Sequence, residues 1–227
     1  MISLRNVTKE YSVGEQIVIT PVNNVTLDIS PGEFIMIVGR SGSGKSTLLN
    51  LAAGLIKPSS GDVLIEGVNL WSMKDKEISL LRSQKIGFVF QFPSLLPSLT
   101  ILDNVAMPAI FRSPNGREGG YERATELLAT MGLSEKAEVY PRQLSAGEQK
   151  RAVIARSLMN QPQILLADEP TSDLDEQTEQ EVMALLREIN RSGVTLLMVT
   201  HSLQLLPYAS RSFRMDNGSL VPLERRN

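Results

Sequence analysis

Gly39-Arg40-Ser41-Gly42-Ser43-Gly44-Lys45-Ser46 has the spacing G-x-x-x-x-G-K-[ST] of a phosphate-binding loop. Its three glycines let the backbone bend tightly and turn N–H groups inward on a chain of phosphates. Lys45 is placed to reach the β- and γ-phosphates as a point charge, and the Ser46 hydroxyl to ligate Mg²⁺. The flanks agree with this reading. Phe34-Ile35-Met36-Ile37-Val38 has the continuous apolar character of a buried strand, and residues 46–53 read as a helix whose positive N-terminus faces the loop. A Gly/Ser-rich loop that matched by chance would have no reason to sit between a strand and a helix.

The bulk numbers set limits around this stretch. The chain has 227 residues, 42% hydrophobic and 21% charged, enough for one large domain with a packed core. A net charge of −2 and the lack of a long basic run argue against nucleic acid as a partner. There is no cysteine, which excludes disulfides and thiolate metal sites and suits a reducing compartment. The first residues lack the apolar core of a signal peptide. No apolar run approaches the roughly 20 residues of a membrane helix, so any membrane role is expected to be peripheral.

Periodicity divides the chain into thirds. Residues 17–20, 25–29, 62–66 and 86–90 read as strands, the third following the turn Pro58-Ser59-Ser60-Gly61. In the middle, Ala124, Leu127, Leu128 and Met131 keep the spacing of one apolar helix face. Arg112 to Gly120 reads as a loop, and residues 92–158 as a helical insert. The last third returns to α/β. Residues 164–167 and 194–199 are apolar strands suited to a parallel sheet covered on both faces. Between them Val182, Leu185, Leu186 and Ile189 mark an amphipathic helix.

Two further stretches carry chemistry. Asp168 and Glu169 close the run Ile164-Leu165-Leu166-Ala167. A carboxylate at a strand end can hold Mg²⁺, usually through water. The next one can polarise a water for attack on a terminal phosphate. The alternative is a solvated Asp-Glu pair opening a turn at Pro170, which the nearby phosphate loop disfavours. Leu144-Ser145-Ala146-Gly147-Glu148 satisfies the S-x-x-E capping box, with a helix running on through Arg151 to Leu158. A capped helix N-terminus after a small-residue turn is also an anion site. Lying in the insert, it is better placed to close on phosphate held by another copy than on its own loop.

With these residues in hand, the chain resembles the ATP-binding cassette (ABC) ATPases over nearly its whole length, with the motifs in the family's order. Leu144-Ser145-Ala146-Gly147-Glu148 is similar to the LSGGQ signature, with Ala146 in place of the first glycine of the pair and Glu148 in place of the glutamine. The resemblance implies a P-loop NTPase core of mostly parallel sheet, an N-terminal antiparallel β subdomain and an inserted α-helical subdomain. It assigns residues 1–91 and 159–227 to the core and 92–158 to the helical part of a single domain. It implies ATP and Mg²⁺ as cofactors. Nucleotide would be held by Tyr11, which matches the aromatic that stacks on adenine, by the loop through Thr47, by Gln91 at the family's Q-loop position, and by Ser145, Ala146, Gly147 and Glu148 of a second copy. Mg²⁺ would be held by Ser46, Asp168 and Gln91. Lys45, Glu169 and His201 would be the catalytic group, His201 following a strand where the family keeps its switch histidine. Ser172-Asp173-Leu174-Asp175 resembles the D-loop, though it can equally be only a cap of the next helix.

The resemblance also implies a homodimer formed on ATP, working with integral membrane subunits on separate chains at the cytoplasmic side. The opening residues through Tyr11, the run Ile86-Gly87-Phe88-Val89-Phe90-Gln91-Phe92 and Leu95-Leu96-Pro97-Ser98-Leu99-Thr100 are similar to ATPases of the lipoprotein-releasing and macrolide-exporting type, which implies export or extraction. The apolar stretch from Phe92 to Leu102 is either a docking site for a membrane subunit or part of the insert core. A cell-division cassette with a different membrane partner would carry the same motifs. A P-loop GTPase is disfavoured by the lack of an N-K-x-D motif.

Overall fold

The computed structural model describes residues 2–14, 17–112 and 117–223. Among the described residues, ten strands and six α-helices form two sheets with helices packed on them. The first sheet is antiparallel, in the order β2-β1-β4-β5, from β1 (Ile2–Val13), β2 (Ile17–Ile29), β4 (Ser60–Ile65) and β5 (Val68–Asn69). The second has the order β10-β9-β3-β8-β7-β6, from β3 (Phe34–Val38), β6 (Ile86–Val89), β7 (Ile164–Asp168), β8 (Thr195–Thr200), β9 (Arg211–Asp216) and β10 (Ser219–Leu223). Its pairings are parallel from β9 through β3, β8 and β7 to β6, and β10 returns antiparallel on β9.

Side-chain alternation along β3 explains how this sheet is covered on both faces. Phe34, Met36 and Val38 join one core with Leu165, Ala167, Leu196 and Met198. Ile35 and Ile37 join a second with Ile164, Leu166, Leu197 and Val199. Every residue of β3 and β8 is buried, so a continuous apolar run replaces the polar alternation of a half-exposed strand. The first core also takes in residues of α3 (Ile101–Arg112), α4 (Arg117–Thr130), α5 (Ala146–Ser157) and α6 (Glu176–Arg191). The second takes in α1 (Lys45–Ala52) and the inner face of the antiparallel sheet.

Several sequence expectations are met closely and some are corrected. Ala124, Leu127, Leu128 and Met131 form the buried stripe of α4 and its end. The strands expected at 17–20 and 25–29 are one strand, β2, bent where Asn24 takes φ +50° and the register with β1 shifts. A bulge absorbs the turn residues without ending the pairing. The loop expected from Arg112 to Gly120 is shorter, because α3 includes Arg112 and α4 starts at Arg117; residues 113–116 lie outside the described residues. Burial of Gly120 beside Ala109, whose Cβ would lie 3.3 Å from an added Cβ, outweighs the weak helix propensity of the Gly-Gly pair. The apolar stretch at 92–102 divides. Ile101 is fully buried and Leu95 and Leu102 pack against the core, whereas Phe92 and Leu96 face solvent. The helix α2 (Asp75–Lys85) has little apolar periodicity, burying Ile78, and was not legible.

Candidate functional site

The parallel strands β3, β8, β7 and β6 point their carboxyl ends to one edge, the position where open α/β sheets bind ligands. Val38 pairs with Thr200, Asp168 with Val199, and Val89 with Ala167. The loop after β3, the carboxylates ending β7, His201 after β8 and Gln91 after β6 therefore emerge side by side.

The loop is shaped from its own backbone. Gly42 and Gly44 take φ +77° and +105°, a region that L side chains rarely adopt. A Cβ on Gly44 would fall 1.8 Å from the carbonyl oxygen of Pro21 in β2, and one on Gly39 would fall 2.6 Å from that of Met215 in β9. So the loop is pinched between the antiparallel sheet and the C-terminal hairpin, with Gly218 N–H donating to the Ser43 carbonyl at 3.4 Å. The Gly39 N–H donates to Thr200 at 3.3 Å. Ser41, Gly42 and Ser46 are exposed, while Lys45 is buried.

Lys45 is folded back over the loop. Its Nζ donates to the carbonyls of Gly39 (2.9 Å) and Arg40 (3.2 Å) and pairs with Glu169 Oε1 at 3.3 Å. The other oxygen of Glu169 accepts from His201 Nδ1 at 2.5 Å. Glu169 itself lies in the left-handed region at φ +46°, uncommon for a residue with a long side chain and typical of functional turns. Its N–H donates to Val199 at 2.9 Å, which keeps that turn in place. Ser46 Oγ donates to Asp168 Oδ1 at 3.1 Å. Burial raises the Asp168 carboxyl above its usual value of 3.8; the Ser46 hydrogen bond and Lys45 oppose the shift, and Glu169 adds to it.

These groups suit a polyphosphate with a divalent cation. A buried ammonium held by two loop carbonyls still needs an anion to balance its charge, and Glu169 now supplies one. Ser43 Oγ is buried without a hydrogen-bond partner, a donor that a phosphate oxygen would satisfy. The Ser46 hydroxyl and Asp168 carboxylate are both hard oxygen ligands on one side of the loop.

The remaining expected residues lie elsewhere. Tyr11 is partly exposed on β1, paired with Ile19 and with the Lys9 ammonium 5.0 Å from its ring centre. Gln91 has an exposed side chain, and its carbonyl accepts from Lys150. Ser145 is the N-cap of α5. Its Oγ accepts from Glu148 N–H at 3.2 Å, and Glu148 Oε2 accepts from Ser145 N–H at 2.8 Å. That second bond is the main reason the Glu148 carboxyl is held below its usual range. Ala146 faces solvent, while Gly147 is buried. Among the described residues, none of the hydrogen bonds or ion pairs of residues 145–148 reaches the loop at 39–47. The cap of α6 is Asp175, accepting from Thr178 N–H at 3.0 Å, whereas Ser172 Oγ is buried without a partner.

Sequence reading missed the hairpin of β9 and β10 that closes the back of the loop. Asn217-Gly218 was its signal, a pair with positive φ at both positions (45° and 81°) as a two-residue hairpin turn demands. It also missed Lys150 and Arg156, which read as ordinary helix cations.

This constellation of loop, strand-end carboxylates, histidine and outlying capped helix belongs to a single class, and comparison with known proteins agrees. The family model of the ABC transporter matches residues 22–172, and the chain belongs to that family. It is 45% identical over 220 residues to a macrolide export ATP-binding/permease protein, MacB, of Rhodopirellula baltica, covering 96% of this chain and 32% of that one. It is 43% identical over 230 residues to the uncharacterized ABC transporter ATP-binding protein MJ0796 of Methanocaldococcus jannaschii, covering 99% of this chain and 97% of that one. A dimeric structure described as a post-hydrolysis state of the cassette MJ0796 bound to ADP and Pi superposes with a TM-score of 0.91, at 40% identity over the full length of both chains. The chain is thus an ATP-binding cassette. It spans about a third of the length of the MacB relative and nearly all of MJ0796. No helix among the described residues is long and apolar enough to cross a membrane.

Proposed function

We propose that this chain hydrolyses ATP with Mg²⁺, closes head to tail on a second copy around the nucleotide, and drives a membrane subunit carried on a separate chain at the cytoplasmic face. The observation that carries the reading is the meeting of Lys45, Ser46, Asp168, Glu169 and His201 at one sheet edge while the helix headed by Ser145 stays out of reach. A site whose last wall lies elsewhere on the same surface is completed by a two-fold copy. ATP then stabilises the pair by mass action, and its cleavage loosens it.

Within that pair each residue has a defined task. The N–H groups of residues 39–47 and Lys45 bind and orient the phosphates. Tyr11 stacks on the base. Ser46, Asp168 and Gln91 would hold Mg²⁺, which neutralises charge building on the phosphate oxygens when it is bound. Glu169 moves off Lys45 to accept a proton from the attacking water, and His201 donates from its ring to the terminal phosphate. Ser145, Ala146 and Gly147 of the partner offer N–H groups from the opposite side. Residues 92–158 act as the helical part and the rest as the core.

The kinship to MacB supports an export or extraction role, because MacB is a macrolide export ATP-binding/permease protein. Phe92 and Leu96 are exposed, and a groove at the end of β6 is lined by Leu80, Phe88, Phe90, Met107 and Phe111. This is where a segment of the separate membrane subunit would seat.

The test is phosphate release together with sizing. Wild type should release phosphate from ATP only with Mg²⁺. Glu169→Gln should bind ATP, lose at least ~10²-fold in turnover and elute as a dimer with ATP. A variant that stays monomeric and turns over normally would overturn the reading.

A further inference from the structure

Two cations leave α5 for the same piece of chain. Lys150 is buried, at 1% exposure, and its ammonium donates to the backbone carbonyl of Gln91. Six positions later the Arg156 guanidinium donates to the carbonyl of Ser94 at 2.8 Å and to its hydroxyl at 2.7 Å. Burial lowers the pKa of both groups, and the Asp173 carboxylate partly offsets this for Lys150. Asp173 lies in the segment that joins Glu169 to α6. One buried lysine therefore stands among three pieces of the site: the helix capped by Ser145, the strand end at Gln91 and the turn after Glu169.

The lengths match. Six helical residues rise about 9 Å, and three residues of extended chain span about 10 Å. So Lys150 and Arg156 can hold both ends of residues 91–94 without bending the helix. Within residues 91–94 the Ser94 N–H also donates to the Phe92 carbonyl at 2.8 Å, and the next tie is Asn104, which bonds both backbone groups of Leu96. Phe92 is 70% exposed, and residues 90–98 form no helix or strand. Stability alone does not account for the lysine, because an apolar side chain of similar volume in a buried site is usually as good or better. What an ammonium adds is a directed bond to one carbonyl.

We propose that Lys150 and Arg156 are positioning residues that clasp the backbone of Gln91 and Ser94 to the helix headed by Ser145 and Gly147, so that the exposed Phe92 surface and that helix N-terminus move as one body. A displacement imposed at Phe92 is then felt at Ser145 and at Asp173. A change at the nucleotide likewise reaches Phe92. The consequence for turnover rests on the proposed function above; the clasp itself does not.

Amide hydrogen exchange on the nucleotide-free chain tests the clasp directly. Lys150→Met keeps the length and loses the charge. Exchange at residues 91–96 should rise by at least ~10-fold with little change in β3 or β8, and Lys150→Arg should restore protection. In ATPase assays Lys150→Met should lower kcat by ~10-fold and change KM by less than ~2-fold, since the phosphate loop at residues 39–47 keeps its contacts and only the positioning of Gln91 is loosened. Unchanged protection at 91–96 in Lys150→Met, or a rise spread over the whole molecule that Lys150→Arg does not reverse, overturns the proposal. Should Lys150→Met not fold, Ser94→Ala removes one acceptor of Arg156 and should loosen residues 93–96 alone; no loosening there overturns it equally. A wild type that shows the protection but no phosphate release would sink the proposed function and leave the clasp standing.

Discussion

Glu169 Oε1 lies 3.3 Å from Lys45 Nζ, with both side chains nearly out of solvent at 11% and 5% exposure. The carboxylate thus occupies the approach to the one buried ammonium of the phosphate loop. In the nucleotide-free cassette it serves as an internal anion, tethered on its other oxygen by His201. A terminal phosphate and this carboxylate compete for the same cation, so the residue proposed to assist hydrolysis must first be displaced.

That competition has a measurable sign. Glu169→Gln removes the charge that a terminal phosphate must displace. At protein concentrations where sizing shows a monomer, its affinity for ATP should rise by ~3–10-fold, the scale of one partly screened charge contact. Affinity for ADP should change by less than ~2-fold. Calorimetric titrations with both nucleotides would check this, and equal gains for ATP and ADP would refute the internal-anion reading.

Gly44→Ala should be severe for a local reason. The position has φ +105°, and the new methyl would lie 1.8 Å from the Pro21 carbonyl oxygen. Relief requires separating α1 from β2, at a cost of ~3 kcal/mol or more. Thermal unfolding should drop by ~6–12 °C for a chain of this size. Gly42→Ala, with φ +77° but nothing within 4 Å of an added Cβ, should lose roughly half as much or less.

Gly147 is set by its own chain as well as by any partner. A Cβ there would sit 2.4 Å from Thr178 Cγ2 on α6. Gly147→Ala should therefore lower the melting temperature of the monomer, by ~2–6 °C. Adding Thr178→Ser deletes that methyl and keeps the hydroxyl that donates to Asp175 at 2.7 Å, so the double variant should recover most of the loss. A double-mutant cycle read by thermal unfolding would show the coupling; strict additivity would refute the contact as the cause.

Asp168 gives a pH dependence. Its carboxyl is raised above the usual 3.8, chiefly by burial. In the window between the unfolded and the raised folded value, the native state binds more protons than the unfolded one. Stability attributable to this group therefore falls as pH rises through that window, and the penalty persists at neutral pH. Asp168→Asn keeps an acceptor for Ser46 and removes the buried charge. At pH 7 without nucleotide or Mg²⁺ it should melt higher than wild type, and the gap should close as pH is lowered below 3.8. It should also lose the extra stabilisation that Mg²⁺ adds to ATP. An identical pH–melting profile for the two proteins would refute the assignment.

The parts of the site that were legible were those written in neighbouring residues. The loop announced itself by glycine spacing, the Ser145 cap by its S-x-x-E pattern, and β7 and β8 by unbroken apolar runs. α2 was hidden because it buries little, and the Arg112–Gly120 stretch was misjudged because Gly119 and Gly120 weaken helix propensity without deciding it. Lys150 was invisible for a different reason. A lysine in a helix normally faces water, and no feature of residues 144–158 reveals that this one points at a carbonyl 59 positions earlier.

The amino-acid order alone therefore determined the class of chemistry, since backbone bending, helix capping and strand burial depend on residues a few places apart. Only the tertiary fold decided which groups meet. Ser46 and Asp168 are 122 residues apart and are joined because parallel strands carry their ends to one edge. Likewise the pairing of Lys45 with Glu169, the sealing of the loop by the hairpin at Asn217-Gly218, and the tie from Lys150 to Gln91 follow from sheet order and core packing. Those depend on the summed burial of side chains from every part of the chain, which no short stretch can encode.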